Sequence, residues 1–318
     1  MGGVPKISIV IAAYNAAQTL PRAVAAACAQ TIDDLEILIA DDASPDATLA
    51  VAEELASHDA RIRVLSAETN GGPGAARNMA IDAARGEWIA VLDADDQMAP
   101  ERMARMLAVA AEYDADLVAD NLRLQPEGEA EAAARAFLPT EPAFVETLSP
   151  HAYVDRNHFY KLDAKLGYLK PLIRRSVLRP DGPRYDERLR IGEDYQLCLD
   201  LLLAGRRYVI FSEPLYIYTT EQSVSVSFRW NCKVIAELLR ANGRAMRDCR
   251  SADPGLQAAL AFRRQQLRKA YRHQRCIDWL KAKKIGRALA LVVARPEIAP
   301  LVADSLLAAM RKRLIGAR

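Results

Sequence analysis

The most informative stretch of this chain is Ile89-Ala90-Val91-Leu92-Asp93-Ala94-Asp95-Asp96, an apolar run that ends in three carboxylates. A buried charge is costly unless it is paired or bound to a metal, so acids directly after such a run indicate a site. As a strand, the stretch would place Asp93 and Asp95 on the same face. Two carboxylates at a strand end suit Mg²⁺ or Mn²⁺. A polar turn after a strand fits the same residues.

Strand and helix patterns alternate around this stretch through the first 120 residues. The strand patterns cover residues 7–12, 36–40, 62–66, 88–92 and 116–119. The helical patterns cover residues 20–30, 45–57, 73–84 and 101–111. We expect Ser44 to be the N-cap of the second helix, with Pro45 at its first position. The alternation predicts an α/β fold, with a mainly parallel sheet and helices on both faces.

Ligands of such sheets bind at the carboxyl ends of the strands. Polar, turn-forming segments follow four of the predicted strands, at Ala12–Asn15, Asp41–Ser44, Asn70–Asn78 and Asp93–Asp96. Because these segments fall on one edge of the sheet, we expect a nucleotide pocket there.

Two of these segments allow more than one interpretation. The run Gly71–Gly74 lacks the Gly-Lys-Ser/Thr ending of a P-loop and follows the third strand. We expect it to turn the backbone into a helix that presents Arg77 to the pocket, although a plain loop with a solvated arginine fits almost as well. Asp41 and Asp42 could accept hydrogen bonds from a ribose or a base, or form an Asx turn.

The second half of the chain has a weaker pattern. Residues 125–147 are rich in Glu, Ala and Pro, which predicts a mobile insertion or loop. Gly192-Glu193-Asp194 precedes a helical pattern at 195–203 and a strand pattern at 208–211, and from residue 230 the pattern is helical. Either acid could serve as a general base, but acids in the first turn of a helix also complement its dipole.

Composition narrows the class of protein. The chain has 318 residues, of which 51% are hydrophobic and 26% charged, as in an ordinary folded protein with a sizeable core. Five scattered cysteines and four histidines without ligand spacing argue against a disulfide framework and a zinc site. Since neither a secretory signal nor a transmembrane run is visible, we expect a cytoplasmic protein.

In order and spacing, the motifs together resemble those of the family 2 glycosyltransferases. The resemblance spans roughly residues 5–220 and rests on Pro5–Asn15, Glu36–Ser44, Asn70–Asn78, Leu92–Asp96 and Gly192–Asp194. It implies a GT-A fold, a nucleotide-sugar donor, a divalent metal (Mn²⁺ or Mg²⁺) and inversion at the anomeric carbon. We expect a catalytic domain at 1–228, with a nucleotide-binding half at 1–120 and an acceptor half at 121–228, and a helical region at 229–318.

The same resemblance implies which residues bind the donor. Ala12, Tyr14 and Asp42 would contact the nucleoside, with Asp41 beside them. Arg77 would lie near the nucleotide or its phosphates.

It also implies the reacting end of the site. Asp93 and Asp95, with Ala94 between them, match the Asp-x-Asp motif, and Asp95 is the first choice as the metal ligand. Asp194, next to Glu193, matches the position of the catalytic base.

Two departures from the family pattern bear on function. Ala43 stands where the family more often has a glycine, which restricts that turn. Arg229-Trp230 lacks the glutamine of the Gln-x-x-Arg-Trp motif of processive synthases, because Val226 occupies that position. We therefore expect addition of a single sugar, with UDP-glucose as the best choice of donor. The expected acceptor is a lipid-linked saccharide in exopolysaccharide or cell-surface polysaccharide synthesis.

Three other functions stay open. A phosphohydrolase of the haloacid type also uses Asp-x-Asp, but normally after its first strand rather than its fourth. A nucleotidyltransferase would need an N-terminal Gly-rich loop, which Ala12–Ala17 does not provide. A non-catalytic sugar-nucleotide-binding module is disfavoured by the acids at all three sites.

The end of the chain is strongly basic. Residues 240–318 contain 19 Lys and Arg against 5 Asp and Glu. Between residues 260 and 287, the basic side chains alternate with apolar ones: Leu260, Leu267, Tyr271, Ile277, Trp279 and Leu280. These helices could lie on an anionic membrane surface as a peripheral anchor, or pack as a bundle with solvated charges. No recognition motif accompanies the charge, so we expect no nucleic-acid partner.

Overall fold

The computed structural model describes residues 5–129, 133–160, 164–179, 181–220, 230–249 and 253–315. The chain divides into two units, Met1–Asn157 with Leu162–Ser225 and His158–Lys161 with Val226–Arg318. The expected boundary at residues 228 and 229, together with Val226 and Arg229, lies outside the described residues.

The first unit is built on a single sheet. Within the described ranges its ten strands are β1 (Ile7–Ala13), β2 (Leu35–Asp41), β3 (Ile62–Ser66), β4 (Trp88–Asp93), β5 (Gln97–Met98), β6 (Leu117–Pro126), β7 (Arg135–Ala136), β8 (Val145–Leu148), β9 (Leu172–Arg174) and β10 (Tyr208–Thr220). The strand order is β3-β2-β1-β4-β9-β6-β10-β5, with β7 on β6 and β8 on β10. The expected α/β fold with a mixed, mainly parallel sheet is confirmed.

Helices flank this sheet. They are α1 (Leu20–Cys28), α2 (Thr48–His58), α3 (Pro73–Ala83), α4 (Arg102–Glu112), α5 (Pro150–Asp155) and α6 (Glu193–Leu203). Except for the short α5, each corresponds to a helical pattern in the sequence, since apolar residues that recur every three or four positions face the sheet.

The register of the central strands places the candidate residues at one edge. In the parallel pairs, Ala13 lies opposite Asp41 and Ala12 lies opposite Asp93. The carboxyl ends of β1, β2 and β4 therefore meet at the same edge, as the strand-end rule predicts.

β9 runs against this direction. It lies between β4 and β6 and is antiparallel to both. Its amino end therefore lies at the edge where the parallel strands have their carboxyl ends. This brings Lys170, two residues before β9, to the same edge as Asp93.

Three local predictions are corrected. α2 begins at Thr48, not after Ser44, because the Ser44 hydroxyl accepts the N–H of Asn15 and Asp46 accepts the N–H of Thr48. Residues 125–147 are not simply a loop, since β7 and β8 pair with longer strands. β10 extends nine residues past the expected Phe211, because register shifts around Pro214 keep it paired with β6.

Glu36 is a buried carboxylate of β2 with a full set of donors. One oxygen accepts the Ser8 hydroxyl and the Arg85 backbone N–H, both at 2.7 Å, and the other accepts Arg63 at 3.1 Å and the Arg85 side chain at 3.0 Å. Burial works to raise the pKa of Glu36, but these donors outweigh it and hold the pKa below its ordinary value of 4.5.

Glu36→Gln is expected to lower the free energy of unfolding by about 2 kcal/mol at pH 7, since hydrogen bonds to a charged acceptor are strong. A lowered pKa in the folded state means that this stability is present above pH 4.5 and is lost as the pH falls below it. Urea unfolding measures the free energy of unfolding of both proteins, and the difference between them should become smaller below pH 4.5. The control is Glu53→Gln on the exposed side of α2. A difference in the free energy of unfolding that does not change with pH would contradict this role of the Glu36 carboxylate.

The second unit is helical. In its described part the helices are α7 (Cys232–Asp248), α8 (Pro254–Lys281), α9 (Ile285–Ala294) and α10 (Ala299–Ile315). Leu260 and Leu267 of α8 are fully buried, and Trp279 and Leu280 pack against a buried cluster of Cys276, Ala288, Ile298 and Val302. For α8, packing in a helical bundle is therefore a better interpretation than lying on a membrane surface. No helix in the described ranges is both long enough and apolar enough to cross a membrane.

Candidate active site

Asp93 and Asp96 are fixed by strand β10, although β9 and β6 separate it from β4 in the sheet. Asp93 is the last residue of β4, and its backbone N–H donates to the Tyr216 hydroxyl oxygen at 3.1 Å. The same hydroxyl donates to Asp96 at 2.8 Å, and the backbone N–H of Thr219 donates to the other oxygen of Asp96, also at 2.8 Å. β10 thus holds the acidic turn in place.

The turn after β4 brings three carboxylates together. Asp93, Asp95 and Asp96 each offer an oxygen, and these atoms lie within 4.8 Å of one another. Burial, together with the charges of Asp93 and Asp95, raises the pKa of Asp96 well above its ordinary value. Asp95 is exposed. Hard oxygen donors at this spacing fit Mn²⁺ or Mg²⁺, with Asp95 and Asp93 as the better anionic ligands.

A second cluster joins the end of β4 to the start of α6. Arg77 donates to Asp93 at 2.7 Å, to Glu193 at 2.8 Å and to Asp194 at 3.2 Å. Lys170 lies 2.8 Å from Asp93 and 2.7 Å from Asp194. Four of the residues predicted from the sequence therefore lie together: Arg77, Asp93, Glu193 and Asp194. Along the chain, 101 positions separate Asp93 from Asp194.

Arg77, Lys170 and Glu193 are buried, Asp93 and Asp194 are half-buried, and the charges of the cluster depend on one another. Burial works against the charge of Lys170 and of Arg77, but Asp194 and Asp93 outweigh it and raise the pKa of both cations. Burial also works to raise the pKa of Asp93, and Lys170 and Arg77 outweigh it and keep this pKa low. For Glu193, burial and the charge of Asp194 raise the pKa. The two cations thus keep Asp93 ionised.

The start of α6 explains how Glu193 and Asp194 reach this cluster. Gly192 is the N-cap and has a φ of 78°, in the left-handed region that glycine tolerates best. The two acids then lie in the first helical turn, where they also complement the helix dipole. The same first turn therefore complements the helix dipole and carries both acids into the cluster.

Lys170 was not among the residues predicted from the sequence. Its backbone carbonyl accepts a hydrogen bond from Arg102, whose side chain also forms a fully buried ion pair with Asp120 at 2.8 Å. A buried, hydrogen-bonded ion pair is costly to break, so it holds the backbone that carries Lys170. An isolated lysine before the apolar pair Leu172-Ile173 is the one weak signal in the sequence.

The other part of the edge lies along β1 and β2. Asp41 is buried; one of its oxygens accepts the Ser44 N–H at 3.2 Å, and the other accepts no hydrogen bond from the described residues. Ala12 is half-buried, and the side chain of Tyr14 is 52% exposed. This edge of the sheet thus has an accessible aromatic ring, that of Tyr14, and a buried hydrogen-bond acceptor, the Asp41 oxygen.

Asp42 has a different environment from Asp41. Its two oxygens accept the backbone N–H groups of Gly71 and Gly72, both at 2.7 Å. Gly72 has a φ of 91°, and an added Cβ would overlap the Arg190 side chain. In this arrangement Asp42 holds the glycine loop that leads into α3 and so positions Arg77. Ala43, where the family more often has glycine, has a φ of 55°.

Two solved structures share this architecture. Residues 1–349 of TarS from S. aureus in complex with UDP-GlcNAc align with a TM-score of 0.64 at 19% identity, over 83% of this chain and 72% of that one. The mannosyltransferase PcManGT from Pyrobaculum calidifontis, in complex with GDP-Man and Mn²⁺, aligns with a TM-score of 0.58 at 17% identity, over 98% and 81%. The fold is therefore the GT-A fold.

Sequence comparison identifies the family. Residues 8–171 match the model of Glycosyl transferase family 2. The succinoglycan biosynthesis protein ExoO of Rhizobium meliloti (strain 1021) is 35% identical over 92% of this chain and 82% of its own length. ExoU of the same strain, also a succinoglycan biosynthesis protein, is 32% identical over 96% and 88%. The chain belongs to glycosyl transferase family 2 and is a transferase.

Proposed function

We propose that this enzyme transfers one hexose, with inversion, from a UDP-sugar to an acceptor hydroxyl. The best choice of donor is UDP-glucose, and the acceptor is a lipid-linked saccharide in exopolysaccharide or cell-surface polysaccharide synthesis. One observation carries the proposal: Arg77 and Lys170 each contact both Asp93 and Asp194. The candidate base Asp194 and the candidate metal ligand Asp93 are therefore held close together by the same two cations.

The donor's nucleoside fits the edge of β1 and β2. One buried oxygen of Asp41 accepts no hydrogen bond within the described part of the chain, so it can accept an N–H of the base or a ribose hydroxyl. The exposed ring of Tyr14 can stack on the base. The nucleotide-sugars bound by TarS and PcManGT support a donor of this class.

The diphosphate would lie between the nucleoside and the carboxylates of Asp93 and Asp95. These two side chains would hold Mn²⁺ or Mg²⁺, which supplies positive charge to the leaving diphosphate. Arg77 and Lys170 are donors that a diphosphate can attract away from Asp194. Binding of the donor would thus release the Asp194 carboxylate from the two cations that hold it.

Asp194 would then act as the general base. The oxygen of the acceptor hydroxyl forms a bond to the anomeric carbon while the bond from that carbon to the diphosphate breaks. The hydroxyl proton passes to Asp194, and the nucleoside diphosphate leaves with the electron pair. Attack opposite the leaving group inverts the configuration at the anomeric carbon.

Addition of a single sugar and the type of acceptor rest on two further observations. Val226 occupies the place of the glutamine in the motif of processive synthases. ExoO and ExoU, which match over 92% and 96% of this chain, are named as succinoglycan biosynthesis proteins, and this supports a role in polysaccharide synthesis.

A thermal-shift screen of UDP-, GDP- and dTDP-sugars with Mn²⁺ tests the donor. A ligand that binds only the native state raises its stability, so we expect the largest rise in Tm with UDP-glucose. A rise in Tm with GDP-sugars or dTDP-sugars alone would overturn the choice of a uridine nucleotide. No rise with any nucleotide-sugar would count against the pocket. Analysis of the anomeric configuration of the product then tests inversion.

Asp95→Ala is expected to weaken donor binding in the presence of Mn²⁺ by ~10-fold or more, which is about 1.4 kcal/mol. Asp95 is the exposed carboxylate of the pair that would hold the ion, and the ion would supply positive charge for the diphosphate. Calorimetry with and without Mn²⁺ measures this effect, with Asp33→Ala on the exposed loop before β2 as the control. Equal donor affinity with and without Mn²⁺ in the unchanged protein would remove Asp95 from the role of ligand.

A further inference from the structure

α9 exposes a continuous apolar stripe. Ile285, Leu289 and Val293 are spaced four residues apart on one side of the helix and are 57%, 60% and 82% exposed. Arg287 is the one charged residue among the ten of α9. A helix with this composition is normally buried on all sides, so the exposed stripe calls for a partner.

Another side of α9 is already in use. Ala288 is buried in the cluster with Cys276 of α8, and Leu291 and Val292 pack against that cluster. Because this side is anchored, α9 cannot turn its stripe inward without losing these contacts. The next helix, α10, adds exposed apolar side chains: Leu306, Leu307 and Met310 are 46–60% exposed.

Cations lie at both ends of the stripe. Lys281, Lys283 and Lys284 are exposed directly before α9, Arg287 is exposed within it, and Arg295 is exposed directly after it. The nearest acid along the chain, Glu297, accepts a hydrogen bond from Arg272 at 2.9 Å. An apolar stripe with cations at both ends fits a surface that offers hydrocarbon beneath a layer of negative charge.

We propose that α9, together with the exposed apolar side chains of α10, docks this protein on an anionic lipid bilayer. The stripe of α9 enters the boundary between headgroups and acyl chains, and the lysines and arginines contact lipid phosphates. A second copy of the chain is a poorer occupant. A two-fold interface places the same patch on both sides, and the cations of the two copies would then repel each other.

The consequence for catalysis rests on the proposed function, whereas the docking surface itself does not. An acceptor carried on a membrane lipid stays at the bilayer, so an enzyme docked there meets it by diffusion in two dimensions. Docking would then raise the rate with a lipid-linked acceptor but not with a soluble one.

Flotation of the full-length protein with vesicles tests the surface. We expect binding to vesicles of phosphatidylcholine mixed with phosphatidylglycerol, and little binding to phosphatidylcholine alone. The double variant Leu289→Gln, Val293→Gln should lower the partition coefficient ~10-fold or more, because two apolar side chains no longer enter the bilayer. The matched variant Leu289→Met, Val293→Ile keeps both positions apolar and should bind normally. Circular dichroism checks the fold of each variant.

The cations are tested separately. Lys283→Ser with Lys284→Ser should lower the partition coefficient roughly 25-fold, since each cation near an anionic surface contributes about fivefold. Equal binding to both kinds of vesicle, or binding unaffected by the Gln variants, would overturn the proposal. The proposal would also be overturned if the protein formed a dimer in the absence of lipid and the Leu289→Gln, Val293→Gln variant dissociated that dimer. Donor binding by thermal shift should be unchanged in all variants, so a failed docking result leaves the proposed transfer untouched.

Discussion

Asp194→Asn is expected to lower the rate of sugar transfer by about 10²–10⁴-fold, the usual contribution of a positioned base, while donor affinity stays nearly unchanged. The amide keeps the shape of the carboxylate and can still accept one hydrogen bond, but it cannot take the proton of the acceptor hydroxyl. Release of UDP in the presence of acceptor measures turnover, and calorimetry measures donor binding.

Two further variants make this result specific. Asp200→Asn makes the same change six residues later in α6, where Asp200 accepts a hydrogen bond from Gln196 at 2.7 Å, and it should leave turnover nearly unchanged. Glu193→Gln should have a smaller effect than Asp194→Asn, because Glu193 pairs with Arg77 whereas Asp194 pairs with both cations of the cluster. Near-normal turnover of Asp194→Asn would remove that residue as the base.

Lys170→Met is expected to lower kcat by roughly 10²–10³-fold, the cost of losing one preorganised donor at a developing charge. The methionine fills a similar volume but leaves Asp93 and Asp194 with Arg77 as their shared cation. Burial works to raise the pKa of Asp93 and Lys170 works against it, so the pKa of Asp93 should rise without Lys170. We therefore expect the acidic limb of the kcat–pH profile to move to higher pH.

The pH profile separates this role from simple loss of folding. Lys170→Arg keeps the positive charge and should recover part of the rate and most of the profile. Lys6→Met, at the exposed ion pair of Lys6 with Glu87, is the control. A profile for Lys170→Met that coincides with that of the unchanged protein would show that Lys170 does not act on the carboxylates.

The parallel half of the sheet could be predicted because its signals are local. β1, β2 and β4 are apolar runs that each end in polar residues, and the strand-end rule groups Asp41 with Asp93 from the sequence pattern alone. The association of Asp194 with this edge came from resemblance to the family, since nothing in its local sequence specifies a partner 101 positions away.

Lys170 could not be predicted for a topological reason. The strand-end rule looks for residues after a strand, whereas Lys170 comes before β9 and reaches the edge because β9 is antiparallel. With three residues, β9 is also too short to show an alternating pattern.

The helical unit shows a second limit of prediction from sequence patterns. The apolar residues of α8 and of α9 look alike in the sequence, yet those of α8 are largely buried and part of α9 is exposed. Which apolar face is covered depends on the neighbouring helices, and an amphipathic pattern does not name the neighbour. Likewise, Ser44 is a good N-cap residue by type, but the loop after β1 already uses its hydroxyl.

The antiparallel β9 also has a consequence for synthesis of the chain. The segment that the family model matches ends at residue 171, one residue before β9 begins. Until the ribosome has released β9, β4 has no partner on one side. Until it has released residues 208–220 as well, β6 lacks its long neighbour β10. For much of translation the nascent protein therefore presents unpaired strand edges, which are open to pairing with other chains.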